Sequence, residues 1–224
     1  MANGKLKLPA TRLIILAAVA GVLAGGVAVY VRGGYSGNDP GSMAGSAGAE
    51  ACAAKAKAAK LIAANAAGDV AAMLAADPPQ SLRSLAFNDP DGKPMTLADR
   101  QGKTLLVNLW ATWCAPCRAE MPALDALQQA KGGADFEVVA INVDTGDDTK
   151  PKKFLADTGV KTLAYYRDPS LDTFNGLKER ALALGLPVTL LVDREGCLVA
   201  AMNGPANWSG PDAARLVDAA LGRK

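Results

Sequence analysis

The chain is 224 residues long and carries 24 Lys and Arg against 22 Asp and Glu, a net charge of +2, with no histidine. That length allows one globular domain with a substantial core plus extensions, and a near-neutral balance without a basic stripe argues against a nucleic-acid partner. The lack of histidine excludes Ser-His and Cys-His catalytic arrangements and imidazole metal sites, so chemistry rests on carboxylates and four cysteines.

Lys5, Lys7 and Arg12 precede residues 13–31, which carry no charge. As a helix this stretch rises about 28 Å, close to the roughly 30 Å hydrocarbon core of a bilayer, and it reads as a single transmembrane anchor. The flanking positive charges hold residues 1–12 in the cytoplasm and deliver everything after Arg32 to the far side. A cleavable signal peptide is the alternative, and it exports the same domain. Residues 32–49, rich in Gly, Ser, Asn and Pro, read as a flexible linker. Residues 50–79 are expected to form a helical extension. Its alanine-rich part, residues 50–66, carries Lys55, Lys57 and Lys60 on the polar side. A second short helix is expected over 69–76, capped by Asp69 and stopped by Asp77-Pro78-Pro79.

A β-hairpin is expected from residues 85–88 and 94–97 around Asp89-Pro90-Asp91-Gly92-Lys93. The unbroken apolar run over 105–110 predicts a central strand covered on both faces, with Trp110 in the core. A helix over 115–130 ends at Gly132-Gly133, and a parallel strand over 136–143 completes a βαβ unit. Residues 144–180 form a central insertion with a helix near 152–157, a strand at 163–166 and a helix near 171–184. The insertion reads as solvated with core-facing Leu and Phe, with partner recognition as the alternative. Residues 186–192 and 198–202 form a closing hairpin, and 212–221 a terminal helix. This order predicts an α/β fold with a mixed central sheet flanked by helices.

Trp113-Cys114-Ala115-Pro116-Cys117 stands where the central strand gives way to a helix. A helix N-terminus offers unpaired N–H groups and partial positive charge to an anion, so Cys114 is expected to be an acidified nucleophile. Cys117, one turn deeper, is placed to resolve a mixed disulfide formed at Cys114. Pro116 suits a first turn, where its missing N–H leaves no bond unmade. Ala115-Pro116 adds no cation to stabilise the thiolate, which favours reduction over oxidation. Trp113 reads as a shield and docking surface for the pair rather than core. Glu120 lies one turn past Cys117 on the same face: buried, it would accept a proton from Cys117, and exposed, it would be an ordinary helical glutamate. Cys52 and Cys197 read as a structural disulfide tying the extension to an exported domain, with free thiols as the alternative. A zinc site would need all four cysteines together. A Cu(I) carrier using Cys114 and Cys117, or an isomerase or oxidase, are the competing functions.

The run Trp113-Cys114-Ala115-Pro116-Cys117-Arg118-Ala119-Glu120-Met121-Pro122, with the later Gly185-Leu186-Pro187-Val188-Thr189-Leu190-Leu191-Val192-Asp193, resembles the membrane-anchored thioredoxin-like thiol:disulfide interchange proteins of the TlpA type. The resemblance extends over residues 84–221. It implies a thioredoxin-like fold over 80–224 and catalysis by Cys114, Cys117 and Glu120. It also implies a docking surface of Trp113, Ala115, Pro116, Leu186 and Pro187, with Pro187 cis and facing the pair. No cofactor is implied. The implied partners are proteins whose cysteines must be reduced before they take a cofactor: a copper chaperone, the copper-site subunit of cytochrome oxidase, or apocytochrome c. Electrons would come from a membrane thiol transporter, and the protein would act as a monomer on the periplasmic side of a bacterial inner membrane. Two positions depart from the common thioredoxin pattern: Asn108 replaces an aspartate and Ala140 a lysine. A neutral amide cannot take a proton, which leaves that role to Glu120 or water. Pro122 matches the family and is expected to kink its helix.

Overall fold

The computed structural model describes residues 48–223. The expected cytoplasmic leader, the apolar segment over 13–31 and the linker up to residue 47 lie outside the described residues. No helix among the described residues is long and apolar enough to cross a membrane.

The core of the molecule is a run of strands that expose almost nothing to water. β4 (Thr104–Trp110) and β5 (Phe136–Asn142) are buried at every position and pair in parallel from Thr104 with Phe136 to Trp110 with Asn142. Their near-continuous apolar sequence fits a strand covered on both faces. On the other side of β4, β7 (Val188–Val192) runs antiparallel, with Leu109 opposite Val188, and β8 (Leu198–Asn203) continues the sheet. Each fully buried Leu or Val here contributes roughly 1.5–3 kcal/mol.

Two further segments complete the sheet. The hairpin of β2 (Ala86–Asn88) and β3 (Pro94–Thr96) pairs Phe87 with Met95. It reaches the core through β6 (Tyr166–Arg167), which pairs in parallel with β5 and antiparallel with β2. β1 (Leu74–Ala75) closes the far edge against β8. The order across the eight strands is β1-β8-β7-β4-β5-β6-β2-β3, a mixed sheet as the order of predicted elements requires.

The helical extension departs from expectation after its first part. Residues 48–53 are helical and α1 (Ala56–Ala63) follows, packing against β8 and β1. Residues 69–76, expected as a helix, instead make a 3-10 turn over Gly68–Val70 and then strand β1. The open edge of β8 supplies Ala200 and Ala201 as ladder partners for Ala75 and Leu74, and an unpaired sheet edge outweighs a weak local helix preference. The extension is therefore part of the sheet. Lys55 anchors it further, bonding Asp193 and Glu195 at 2.6 Å each.

The insertion also differs in detail. It holds α3 (Thr149–Asp157), the two-residue β6, which meets the strand expected over 163–166 only at Tyr166, and α4 (Asp172–Glu179), which stops well short of residue 184. Ala181 takes a left-handed φ of +57° there, and Leu184 lends its N–H to the Asn203 side chain at 2.7 Å. Leu177 of the insertion faces the core as expected; the insertion also buries Tyr166 and bridges the hairpin to the central strands. Between β4 and β5 lies α2 (Ala115–Lys131), and α5 (Pro211–Ala220) ends the domain with Ala213, Leu216 and Val217 buried.

Candidate active site

α2 begins where β4 ends, so its N-terminus sits at the C-terminal edge of the sheet. Cys114 is the N-cap, in extended backbone, and its Sγ accepts the Cys117 N–H at 3.2 Å. One of the free N–H groups of the helix's first turn is thus aimed at the first cysteine's sulfur. The buried face of α2 is Cys117, Glu120, Met121, Leu124 and Leu127, an i, i+3, i+4 stripe. That stripe carries Cys117 to full burial while Cys114, before it, stays 6% exposed. Ala115 and Pro116 between them are exposed. α2 runs unbroken from Ala115 to Lys131 through Pro122.

The two sulfurs are bonded to each other, with the α-carbons 5.3 Å apart. Trp113, immediately before, is 64% exposed, whereas Trp110 is core. Pro187 arrives from the neighbouring strand: with Val188 opposite Leu109, Pro187 lies beside the end of β4 from which the pair emerges. The bond between Leu186 and Pro187 is cis, Pro187 is buried and Leu186 half-buried. Trp113, Ala115, Pro116, Leu186 and Pro187 therefore converge on one end of the sheet around the cysteines.

Glu120 is 3% exposed and lies within a shell of donors. Asn108 Nδ2 donates to its Oε1 at 2.8 Å; the Ala206 N–H and Trp208 Nε1–H donate to its Oε2 at 3.2 and 3.1 Å. Burial pushes the Glu120 carboxyl above the ordinary range, and the three hydrogen bonds pull only partly against it. Asn108 also reaches Thr189 Oγ1 on β7 at 3.0 Å, and on β5 its register partner is Ala140. The two positions that depart from the thioredoxin pattern thus stand side by side on β4 and β5, and among the described residues Glu120 is the only carboxylate bonded to Asn108.

Ala206, Trp208 and Thr189 are site residues that sequence reading did not single out. Trp208 lies in a Gly- and Pro-flanked loop, and its signal was a large indole whose N–H needs a buried acceptor. The other two have no local signal, because their roles exist only once β7 and the loop after β8 fold over α2.

Cys52 and Cys197 are bonded to each other, each 2% exposed, with α-carbons 5.3 Å apart. The two cysteine pairs are each closed on themselves rather than gathered as four ligands.

Residues 80–219 match the family described as Redoxin. The chain belongs to the Redoxin family. Within it, the chain is similar to the thioredoxin-like protein YneN of Bacillus subtilis (strain 168), 36% identical over 123 residues, which cover 54% of this chain and 65% of that protein. It is similar also to the thiol:disulfide interchange protein HelX of Rhodobacter capsulatus, 38% identical over 114 residues, covering 50% of this chain and 59% of that protein. The matches thus span less than two thirds of these relatives. Among solved structures, a thiol:disulfide interchange protein of the thioredoxin family from Chlorobium tepidum TLS superposes with a TM-score of 0.52 at 30% identity, over 66% of this chain and all of that one. The Redoxin-family fold of this chain is thioredoxin-like.

Proposed function

We propose that the chain is a protein thiol:disulfide oxidoreductase that works as a reductant. The observation that carries this reading is the Cys114–Cys117 pair at the start of α2, with Cys114 the less buried sulfur, capped by the Cys117 N–H and flanked by exposed Trp113. In the reduced protein, the Cys114 thiolate attacks one sulfur of a partner's disulfide and the other partner sulfur leaves as a thiolate. Cys117 then loses its proton to Glu120 and attacks Cys114, which frees the second partner thiol. Two electrons pass to the partner, and the Cys114–Cys117 disulfide is left behind. The helix N-terminus favours the thiolate over the thiol at Cys114.

A protein rather than a small disulfide is the substrate this surface suits. Trp113 at 64% and Leu184 at 82% exposure are large apolar groups left open at the end of the sheet where the pair emerges. Within the family we place the chain with the TlpA type, on the motifs around Cys114 and Pro187. On that reading residues 13–31 anchor it in a bacterial inner membrane with the domain in the periplasm. Its substrates are cysteine pairs awaiting copper or haem, and a membrane thiol transporter returns it to the dithiol form.

Trapping tests the proposal. Cys117→Ser in the full chain leaves Cys114 unable to be released, so mixed disulfides accumulate, and mass spectrometry should identify copper- or haem-site proteins joined through Cys114. Adducts drawn only from abundant exported proteins would count against the substrate class. No adduct at all would count against the reaction.

A further inference from the structure

The hydrogen-bond shell of Glu120 fits only one of its two protonation states. All three groups touching the carboxylate donate: Asn108 Nδ2, the Ala206 N–H and the Trp208 Nε1–H. A backbone N–H and an indole N–H have no acceptor to offer in exchange. Once Glu120 carries a proton, its O–H points at donors unless one partner reverses. Only Asn108 can, since turning its amide over swaps a donor for an acceptor of nearly the same shape.

The rest of the Asn108 environment accommodates that turn. Its Nδ2 serves two acceptors at once, Glu120 Oε1 and Thr189 Oγ1, while its Oδ1 is fully buried without any hydrogen-bond partner. A buried carbonyl left unpaired carries a cost of about 1–3 kcal/mol, and the amide nitrogen that takes its place after the turn carries a similar one, so the turn leaves that cost nearly unchanged and the Glu120 proton decides its direction. In the reversed position Oδ1 would take over both contacts, receiving the Glu120 O–H and the Thr189 hydroxyl proton, because a Ser or Thr hydroxyl donates as readily as it accepts.

We propose that Asn108 is a two-position switch for this site: it donates Nδ2 to ionised Glu120 and turns over to accept from Glu120 when the carboxyl holds the proton taken from Cys117. This rests on the proton path proposed above. In that step the Cys117 S–H bond breaks, an O–H bond forms on Glu120, and the electron pair left on sulfur attacks the mixed disulfide. The turned amide gives the new O–H an acceptor, and turning back returns the site to its starting state when the proton leaves. Asn108 acts through Glu120 and is a positioning residue. No charged side chain among the described residues bonds Glu120. Its bonded neighbours are Asn108 on β4 and the loop at 206–208; Cys117 shares its buried face of α2, and Thr189 on β7 reaches it through Asn108. Asp69, held by Asn207 Nδ2 at 3.0 Å, is the charged group tied to that loop.

The test reads the amide directly. In the oxidised full chain, with asparagine side chains labelled with nitrogen-15 and Glu120 followed by its carboxyl carbon, the Asn108 amide signals should move between two limits as pH changes. Their midpoint should coincide with that of the Glu120 carboxyl. In Glu120→Gln, whose permanent NH₂ demands an acceptor, the Asn108 signals should stay at the acid limit at every pH. Signals that ignore the Glu120 titration, or that sit at the alkaline limit in Glu120→Gln, would overturn the switch. Because no partner and no dithiol are involved, the outcome stands apart from whether the protein reduces disulfides. A switch that titrates in a protein unable to exchange would sink the reaction and spare the switch.

Discussion

The two disulfides of this molecule have the same α-carbon separation, 5.3 Å, and close loops of very different length. Cys114 and Cys117 are three positions apart, and closing so short a loop removes little freedom from the unfolded chain, roughly 1.6 kcal/mol in the loop-entropy estimate. Cys52 and Cys197 are 145 positions apart, and the same estimate gives roughly 5 kcal/mol. Position follows the same division. The first pair opens a helix beside exposed Trp113, with Cys114 the less buried of its sulfurs. The second lies beneath the Lys55 ion pairs and the 193–197 turn, where the Asp193 carboxylate also accepts the Cys197 N–H at 2.8 Å. On the proposed function, the cystine that restrains little is the one available for exchange, and the one that restrains much holds the fold.

The comparison breaks most sharply at Cys114. Cys114→Ser should abolish exchange with a peptide disulfide altogether, while urea unfolding shows a loss no larger than the roughly 1.6 kcal/mol of the short loop. Residual exchange at the wild-type rate would remove Cys114 from the reaction. The second pair should behave in the opposite way. Cys52→Ala with Cys197→Ala should cost about 2–5 kcal/mol in urea unfolding, with the exchange rate unchanged within about two-fold. A large fall in exchange would mean that the extension shapes the site as well as holding the fold.

The first pair was legible in the sequence as a local motif and the second only by inference, and the reason lies in range. Cys114, Cys117 and Glu120 share one helix face, and i, i+3 spacing is local information. β4, β5, β7 and α2 were likewise legible as unbroken apolar runs or as a stripe. The strand at Leu74–Ala75 was not, because two residues carry no period and the partner edge at Ala200–Ala201 lies far along the chain. Trp208 and Ala206 were missed for the same reason: their acceptor is Glu120, 88 and 86 positions earlier. Asn108 was legible as a departure from the thioredoxin pattern, but its partner Thr189 comes from a strand 81 positions on.

A smaller effect separates the working pair from its surroundings. Glu120→Gln removes the proton acceptor and should slow resolution of the mixed disulfide roughly 100-fold, the low end for general base catalysis, measured by single-turnover reduction. Its effect on stability has the reverse sign. Burial raises Glu120 in the folded chain, whereas the unfolded chain titrates near about 4.3. The folded state therefore holds this proton to higher pH. The stability Glu120 contributes is complete below about 4.3 and is lost as pH rises through the folded midpoint. Glutamine does not suffer that loss, so the variant should gain on the wild type in urea unfolding as pH rises over that window. Equal pH dependence in both proteins would mean that Glu120 is hydrated in solution.

The weakest expected effect probes how the extension is held without its disulfide. Gly68 opens the 3-10 turn before β1 at φ +51°, and a Cβ there would land on the Asp212 carboxylate, whose Oδ2 accepts the Asp69 N–H at 3.3 Å. Gly68→Ala should therefore cost left-handed strain of about 1–2 kcal/mol plus whatever the displaced Asp212 contact contributes. Gly92, in the β2–β3 turn at φ +80° with nothing near its missing Cβ, supplies the control. Gly92→Ala meets the strain alone, so the difference between the two variants in urea unfolding isolates the Asp212 contact. In the chain lacking Cys52 and Cys197 that difference should persist undiminished, because the contact ties residues 68 and 69 to α5 and not to the turn that the disulfide holds. If it vanishes there, the extension leaves the sheet once the clamp is gone, and the disulfide rather than the β1 pairing keeps it in place.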